Sequence, residues 1–192
     1  MSDDFDIRRL HPRDRKDGFC AGLGYEPLDV YLQRYAWQNE KRQQTVTHVA
    51  AVDDRVVGYA TTVPGTVEPS RLRPMVKGLS SYPAPVLVLA RLATDVTFTG
   101  RGVGPRLMRE AVFMRALSLA ADYGCVGIYV DAKPPPSGAP RGSADFYARY
   151  GFVALASPPE GPEALTAAPI PMFLALAAIP PPAPPRSPPP TP

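Results

Sequence analysis

A glycine-rich turn, Gly100-Arg101-Gly102-Val103-Gly104, lies between an apolar run that ends at Leu92 and an amphipathic segment. Glycines allow the backbone to bend tightly, and they keep Cβ atoms away from a ligand that lies close to the amides. The first N–H groups of a helix have no intrahelical partner and lie at the positive end of its dipole. A strand, a glycine turn and a helix start in this order predict a binding site for phosphate.

The segment after the turn is predicted to be a helix. Pro105 suits its first position, where the fixed φ of proline helps and no N–H is needed. Apolar residues then recur at spacings of three and four, which predicts one buried stripe: Leu107, Ala111, Met114, Leu117 and Ala121. Gly124 is expected to end the helix in a left-handed conformation.

Two common phosphate-binding motifs do not fit this turn. A dinucleotide-binding fold uses G-x-G-x-x-G in a repeated βαβ pattern. The third glycine is missing here, and the strand that follows is not part of a βαβ series. A P-loop requires Gly-Lys-Ser/Thr, which is also missing.

Periodicity and turn residues predict the remaining elements. Strands are expected over residues 5–10, 46–52, 56–63, 86–95, 125–131, 152–155 and 172–176. A helix should begin at Pro27, and a shorter one should run from a Ser143 cap to Tyr150. Residues 64–85 are too polar and too interrupted by proline for core, and residues 157–171 are predicted to be a loop.

Composition predicts one globular domain over residues 1–178 and a disordered proline-rich tail over residues 179–192. The chain has 192 residues, 45% of them hydrophobic and 20% charged, so a sizeable core can form. Many of the 26 prolines lie in the tail or in the segment Pro134–Pro140. No signal peptide or membrane span is evident, and Cys20 and Cys125 have no metal-ligand spacing. A reduced cytoplasmic protein is expected.

Four stretches resemble the GNAT superfamily of acetyl-CoA-dependent N-acetyltransferases. Residues Thr99–Gly104 are similar to its pyrophosphate-binding motif R/Q-x-x-G-x-G/A, with Thr99 in place of Gln or Arg. Residues Val88–Asp95 resemble the strand L-x-R-L-A-V-D of the GNAT-type toxins from bacterial toxin–antitoxin pairs. Residues Asp145–Phe152 are similar to their segment A-F-Y-x-x-x-G-F. The segment from Phe19 through Leu32 looks like their first helix and its lead-in.

The resemblance implies a GNAT fold, a mixed twisted sheet of about six to seven strands flanked by helices. Its central strands would splay and leave backbone groups free for the pantetheine arm of acetyl-CoA. The residues that would bind this cofactor are Leu92, Ala93, Thr94, Thr99, Gly100, Arg101, Gly102, Val103, Gly104 and Phe146. No metal is implied.

Tyr147 is the candidate for proton donation to the departing thiolate. A phenol has an ordinary pKa near 10, close enough to that of an alkyl thiol for this role, and the matching tyrosine of the GNAT toxins is credited with it. From the residues alone, a packed aromatic residue of a short helix is the favoured interpretation of Tyr147, and the resemblance favours catalysis. No carboxylate is a clear base, although Asp95 and Asp131 could act through water. An α-amine titrates near pH 8 and needs less help than a lysine.

Basic residues have two interpretations. They form a solvated rim, or they form a track for a phosphate backbone, which matters because the resembled toxins act on charged tRNA. On the second interpretation the candidates for binding tRNA are Arg71, Arg73, Lys77 and Arg91. Further basic residues crowd residues 8–16 and follow the first helix.

Three functional hypotheses follow. The first is acetylation of the α-amine of aminoacyl-tRNA by a toxin that inhibits translation; by resemblance, its partners are a second copy of itself and a ribbon-helix-helix antitoxin. The second is acetylation of a small amine or a peptide N-terminus. The third is a catalytically silent domain that binds acetyl-CoA or a protein, which Thr99, Pro105 and the proline-rich insertion keep open.

Overall fold

The computed structural model describes residues 5–134, 142–155 and 168–179. The proline-rich insertion beyond Pro134, most of the predicted loop 157–171 and the tail beyond Ile179 lie outside the described residues. Within the described ranges, the helices are too short or too polar to cross a bilayer.

The described residues contain seven strands: β1 Asp6–Arg9, β2 Val46–Val52, β3 Arg55–Val67, β4 Ala84–Thr94, β5 Gly127–Ala132, β6 Val153–Ala154 and β7 Ile170–Ala175. They form one mixed sheet in the order β1-β2-β3-β4-β5-β7-β6. Only β4 and β5 are parallel among these neighbours; the other pairs are antiparallel. The predicted fold class, a mixed sheet flanked by helices, is confirmed.

Four helices pack against this sheet in the described residues. Helix α1, residues 26–41, consists of the α-helical segment Glu26–Val30, the π-helical turn Tyr31–Tyr35 and the α-helical segment Ala36–Lys41. Helix α2 is Pro69–Leu72. Helix α3, residues 103–122, consists of Val103–Arg106, the π-helical segment Leu107–Phe113 and Met114–Asp122. Helix α4 is Ser143–Ala148.

Helix α3 departs from its prediction in two ways. It begins at Val103, so Pro105 is its third residue, where a backbone N–H still has no intrahelical acceptor. The π-helical segment adds about one residue per turn and shifts the buried face. Ala116 is therefore fully buried, whereas Met114 is 39% exposed and Ala121 is exposed, contrary to the predicted stripe. Gly124 has φ +90° and ends the helix as predicted.

The predicted loop 64–85 is wrong in part, because it contributes to the core. Strand β3 extends to Val67, helix α2 buries Leu72 completely, and β4 begins at Ala84. These residues pack with Val86 and Phe173 on one face of the sheet. The prolines do not interrupt the core. Pro64 lies within β3, beyond the last residue of β3 that pairs with β2, and Pro69 opens α2.

Two other predicted boundaries differ from the structure. Ile179, where the tail was expected to begin, is 7% exposed and packs into the core, so the globular domain includes it. Ser143 is the first residue of α4 rather than its cap, and its hydroxyl donates to the carbonyl oxygen of Lys133 at 2.8 Å. This bond ties the start of α4 to the end of β5.

A β-bulge at Ala90 changes the direction of the side chains along β4. Thr62 pairs with Leu89 and Thr61 pairs with Arg91, so Ala90 has no partner on β3. Before the bulge, Leu89 faces the core beneath α3; after it, Ala93 faces the core beneath α1. An unpaired residue shifts the alternation of a strand by one position. The bulge therefore turns Arg91 toward α1.

Candidate active site

Strands β4 and β5 diverge, as predicted. They pair only at Leu87 with Ile128 and at Val88 with Tyr129, although β4 continues to Thr94. Beyond Val88, β4 has no partner on its β5 side, so its backbone groups there are open to a ligand. The residues after the last pair line the opening between the two strands.

Two cavities share this opening. The turn-side cavity, of about 220 Å³, is lined by Ala21, Tyr25, Leu28, Leu92, Ala93, Thr94, Gly104, Ser143, Phe146 and Tyr147. The splay cavity, of about 70 Å³, lies between the diverging strands and is lined by Tyr25, Leu28, Leu89, Ala90, Arg91, Leu92, Val130, Asp131, Lys133, Ser143 and Tyr147. Tyr147 is one of five residues that line both cavities. A group bound in one cavity can therefore meet a group bound in the other beside this tyrosine.

The structure brings six of the predicted residues together on the turn-side cavity: Leu92, Ala93, Thr94, Gly104, Phe146 and Tyr147. Thr99, Gly100, Arg101 and Gly102 form the adjacent surface turn and do not line it. Val103 is 1% exposed, with its side chain against Gly58, so it has only backbone to offer a ligand.

Glycine occupies the positions of this turn for different physical reasons. Gly100 and Gly102 have φ of +80° and +81°, which side-chain-bearing residues rarely adopt, and a Cβ on either would meet open space. Gly104 has no such φ. A Cβ there would lie 3.6 Å from the Phe146 ring and from Thr94 Oγ1, at the cavity wall. Gly104 therefore keeps the cavity open, beside the free amides at the start of α3.

Tyr147 is 6% exposed. Its ring packs against Phe146 and Phe152, each with centroids 5.5 Å away. Burial raises the pKa of its phenol well above the ordinary value, so the hydroxyl is protonated throughout the physiological range. In the described part of the chain this hydroxyl has no side-chain or backbone hydrogen-bond partner, which leaves its proton for a bound group.

The two candidate carboxylates differ. Asp95 is 1% exposed; burial opposes its charge, but hydrogen bonds from Thr97 and from the Cys20 amide lower the pKa of this carboxyl overall. It fixes the loop before α1 to the end of β4 and lines neither cavity, so nothing in the geometry supports a role for Asp95 as a base. Asp131 is exposed in the splay cavity and accepts a hydrogen bond of 2.6 Å from the Tyr129 hydroxyl.

The predicted substrate-binding residues are spread out. Arg91 lines the splay cavity. Arg71 lies beside the Tyr129 hydroxyl and lines neither cavity. Arg73 and Lys77 are exposed after α2 and line neither cavity.

Some basic residues near the N-terminus are already neutralised. Arg8 forms a salt bridge with the buried Asp14 at 2.6 Å and one with Asp54 at 3.1 Å. Arg9 pairs with the buried Glu40. These two arginines stabilise the edge of the sheet, so they are poor candidates for a phosphate track.

Four residues that line the turn-side cavity were missed by the sequence analysis as site residues: Ala21, Tyr25, Leu28 and Ser143. The first three reach the cavities because Cys20 bonds to both Asp95 and Val96, which holds the loop before α1 against the end of β4. No local pattern reveals such long-range contacts. Among the described residues, no group of three or more His, Cys, Asp or Glu side chains is arranged to bind a metal.

Known proteins share both the sequence pattern and the fold. The profile of the acetyltransferase (GNAT) domain matches residues 43–154. A tRNA-acetylating toxin of Mycobacterium tuberculosis is 34% identical over 126 residues, which cover 65% of this chain and 74% of that protein.

Solved structures extend the similarity over most of the chain. AtaT complexed with acetyl-methionyl-tRNAfMet has a TM-score of 0.71 at 21% identity, covering 92% of this chain and 97% of that one. A bacterial toxin structure has a TM-score of 0.72 at 20% identity, with 91% and 93% covered. AtaTR bound with acetyl-CoA has a TM-score of 0.67 at 21% identity, with 92% and 96% covered. With a matching profile over more than half of its length, this chain belongs to the GNAT acetyltransferase family.

Proposed function

We propose that this protein transfers an acetyl group from acetyl-CoA to the free α-amine of aminoacyl-tRNA, and that it is a toxin that inhibits translation. A relative with 34% identity is a tRNA-acetylating toxin, and a structure with the same fold holds acetyl-methionyl-tRNA. The observation that carries the proposal is that Tyr147 lines both the turn-side cavity and the splay cavity.

The turn-side cavity fits acetyl-CoA, which supplies an acetyl group activated as a thioester. The first amides of α3 suit the pyrophosphate, and Gly104 leaves space beside them. The unpaired side of β4 at Leu92, Ala93 and Thr94 suits the amide-bearing pantetheine arm. Because Thr99 is short, backbone groups carry most of this binding, with one amide fewer at Pro105.

Tyr147 holds the proton that the departing sulfur requires. Its phenol stays protonated because burial raises its pKa. The hydroxyl stabilises the negative charge that develops on sulfur as the C–S bond breaks. Phe146 and Phe152 hold the ring in place from two sides.

The acceptor amine reaches Tyr147 through the splay cavity. An α-amine has a pKa of about 8, so a substantial fraction is neutral at cellular pH and no strong base is needed. Asp131 is the carboxylate that lines this cavity in the described chain, and it can accept a proton through water after the amine attacks.

The proposal includes the partners implied by the family. Action on aminoacyl-tRNA requires a cytoplasmic protein. AtaT is solved with the C-terminus of the antitoxin AtaR, which supports an antitoxin partner for this chain; that this partner is of the ribbon-helix-helix type is part of the proposal. A homodimer completes the proposal; sedimentation of the purified protein tests it.

Transfer of labelled acetyl from acetyl-CoA to a panel of acceptors tests the function. The panel contains bulk aminoacyl-tRNA, polyamines, amino acids and short peptides. We expect label on aminoacyl-tRNA with the highest kcat/KM. Label only on small amines or peptides would favour the second hypothesis. Binding of acetyl-CoA without transfer to any acceptor would favour a silent domain.

A further inference from the structure

We propose that Tyr31 is a positioning residue for the acceptor. Stacked on Tyr59, it holds the guanidinium of Arg91 at the rim of the splay cavity, where Arg91 binds a phosphate near the aminoacylated end of the tRNA. This inference rests on the proposed function, because it requires an acceptor that carries phosphate.

Three side chains form a continuous stack. The guanidinium carbon of Arg91 lies 3.7 Å from the centroid of the Tyr31 ring. That ring stacks on Tyr59, with centroids 6.2 Å apart and an interplanar angle of 23°. An arginine over a tyrosine face is attracted by the ring's quadrupole.

The lower end of the stack is rigid. Tyr59 has no exposed surface, and its hydroxyl donates to the carbonyl oxygen of Leu28 at 2.9 Å. Phe19 packs edge-on against its ring with centroids 5.7 Å apart. Tyr31 is 4% exposed, and its hydroxyl lies 3.3 Å from Thr45 Oγ1. Both rings are fixed from several directions, so the surface under Arg91 is preformed.

The bulge at Ala90 directs Arg91 onto this stack. With an unbroken alternation, residue 91 would follow Leu87 and Leu89 toward the core beneath α3. The unpaired Ala90 reverses the alternation, so Arg91 pairs with Thr61 on the α1 face, two residues along β3 from Tyr59. A charged residue in the middle of a central strand thus avoids burial in the core.

The charge of Arg91 is not paired with a carboxylate among the described residues. Arg8 and Arg9 both pair with carboxylates, whereas no carboxylate of the described residues lies within salt-bridge distance of Arg91. Its stacked face leaves the N–H donors at the edge of the guanidinium for a ligand, in the fork that matches phosphate. Because Arg91 lines the same cavity as Tyr147, such a phosphate lies close to the reacting amine.

The test compares four single variants and one double variant with the wild type. Arg91→Gln removes the charge, Tyr31→Leu removes the stacking ring and Tyr31→Phe retains it. Tyr35→Leu, on the same π-helical turn but 49% exposed, is the matched control. The readouts are KM and kcat with aminoacyl-tRNA, the salt dependence of binding to uncharged tRNA, and kcat/KM with an amino acid methyl ester, which has no phosphate.

For Arg91→Gln we expect KM for aminoacyl-tRNA to rise by about tenfold and the salt slope to fall by about one. Tyr31→Leu should raise this KM by roughly two- to tenfold, because Arg91 must then be ordered on binding. Tyr31→Leu should leave kcat and the methyl ester reaction unchanged. Tyr31→Phe and Tyr35→Leu should resemble the wild type, and the double variant Arg91→Gln with Tyr31→Leu should resemble Arg91→Gln alone.

The inference is overturned if Tyr31→Leu folds and leaves KM for aminoacyl-tRNA unchanged. It is also overturned if Tyr31→Leu slows the methyl ester reaction by the same factor as the reaction with aminoacyl-tRNA. If Tyr31→Leu does not fold, Arg91→Lys decides, because lysine keeps the charge without the planar fork. A raised KM supports the inference, and wild-type behaviour contradicts it. Lack of transfer to any aminoacyl-tRNA by the wild type would refute the proposed function instead, and the salt slope of Arg91→Gln with uncharged tRNA still judges the phosphate contact.

Discussion

The turn-side cavity and the splay cavity meet at Tyr147, but they are built differently. Most of the turn-side wall is apolar or small, and it presents backbone from β4 and from the start of α3. The splay cavity has three charged side chains in its lining, Arg91, Asp131 and Lys133. Backbone groups suit a ligand that never changes, whereas side chains can be altered to select an acceptor without disturbing the fold.

The largest effect is expected at Tyr147, where the two cavities meet. Tyr147→Phe should lower kcat by about 10²–10⁴, because it removes the proton donor and keeps the ring. The dissociation constant for acetyl-CoA should be unchanged. Steady-state kinetics together with calorimetric titration check this. An unchanged kcat would mean that Tyr147 is not the proton donor where the two cavities meet.

The second effect separates the two cavities. Gly104→Glu should weaken acetyl-CoA binding by at least about a hundredfold, because the longer side chain would occupy the space beside the amides and its carboxylate would repel the pyrophosphate. Binding of uncharged tRNA should be unaffected, because Gly104 does not line the splay cavity. Titrations with each ligand measure both quantities, and equal losses would refute the separation.

A third prediction concerns the packing behind the turn. A Cβ on Gly58 would lie 2.4 Å from Val103 Cγ1 and 3.2 Å from Leu107 Cδ1. Gly58→Ala should therefore lower the free energy of unfolding by about 1–3 kcal/mol. Urea denaturation measures this.

Gly104→Ala is the matched control for packing. Its Cβ would meet neighbours at an ordinary 3.6 Å, and alanine favours a helix over glycine by about 0.5–1 kcal/mol. The free energy of unfolding should be unchanged or higher, while acetyl-CoA binds less tightly. A destabilised Gly104→Ala variant would show that Gly104 serves the fold rather than the cavity.

The pH dependence gives a subtler test. Tyr147 acts in its protonated form, and burial raises its pKa above the ordinary value near 10. Transfer to a small amine should therefore rise as the amine loses its proton and should not decline below about pH 10. A decline centred at lower pH that is absent from Tyr147→Phe would contradict the protonated role.

The smallest effect is expected from Ser143→Ala. Its hydroxyl bonds to the carbonyl oxygen of Lys133 and joins α4, which carries Tyr147, to the end of β5. Loss of one partly exposed hydrogen bond should cost about 0.5–1.5 kcal/mol of stability and lower kcat less than tenfold. Ser118→Ala, on the exposed side of α3, is the control in thermal denaturation and kinetics.

Local patterns could be predicted from the sequence, whereas features that depend on contacts between distant residues could not. The turn from Thr99 to Gly104 and the segment of Tyr147 are local patterns, so their elements were predicted within a few residues. The strand order, with β7 between β5 and β6, depends on pairing between distant residues. The sequence alone indicates neither the bulge at Ala90 nor the attachment of Cys20 to Asp95, yet these features direct Arg91 and bring Tyr25 to the site.

The prediction of the buried face of α3 was wrong for a related reason. A regular helix of 3.6 residues per turn places Met114 with Leu107 and Ala111. The π-helical segment Leu107–Phe113 changes that phase and exposes Met114. The prediction that residues 64–85 are loop failed because Pro64 lies within β3 beyond its pairing with β2, and Pro69 opens α2, so neither proline interrupts the core.

Identification of the acetylated atom tests the central claim most directly. Purified protein is incubated with labelled acetyl-CoA and aminoacyl-tRNA, the ester is hydrolysed, and the released amino acid is analysed by mass spectrometry. We predict an amino acid acetylated on its α-nitrogen, formed by the wild type and nearly undetectable with Tyr147→Phe. Label that remains on the RNA after hydrolysis, or equal yields from both proteins, would contradict the account.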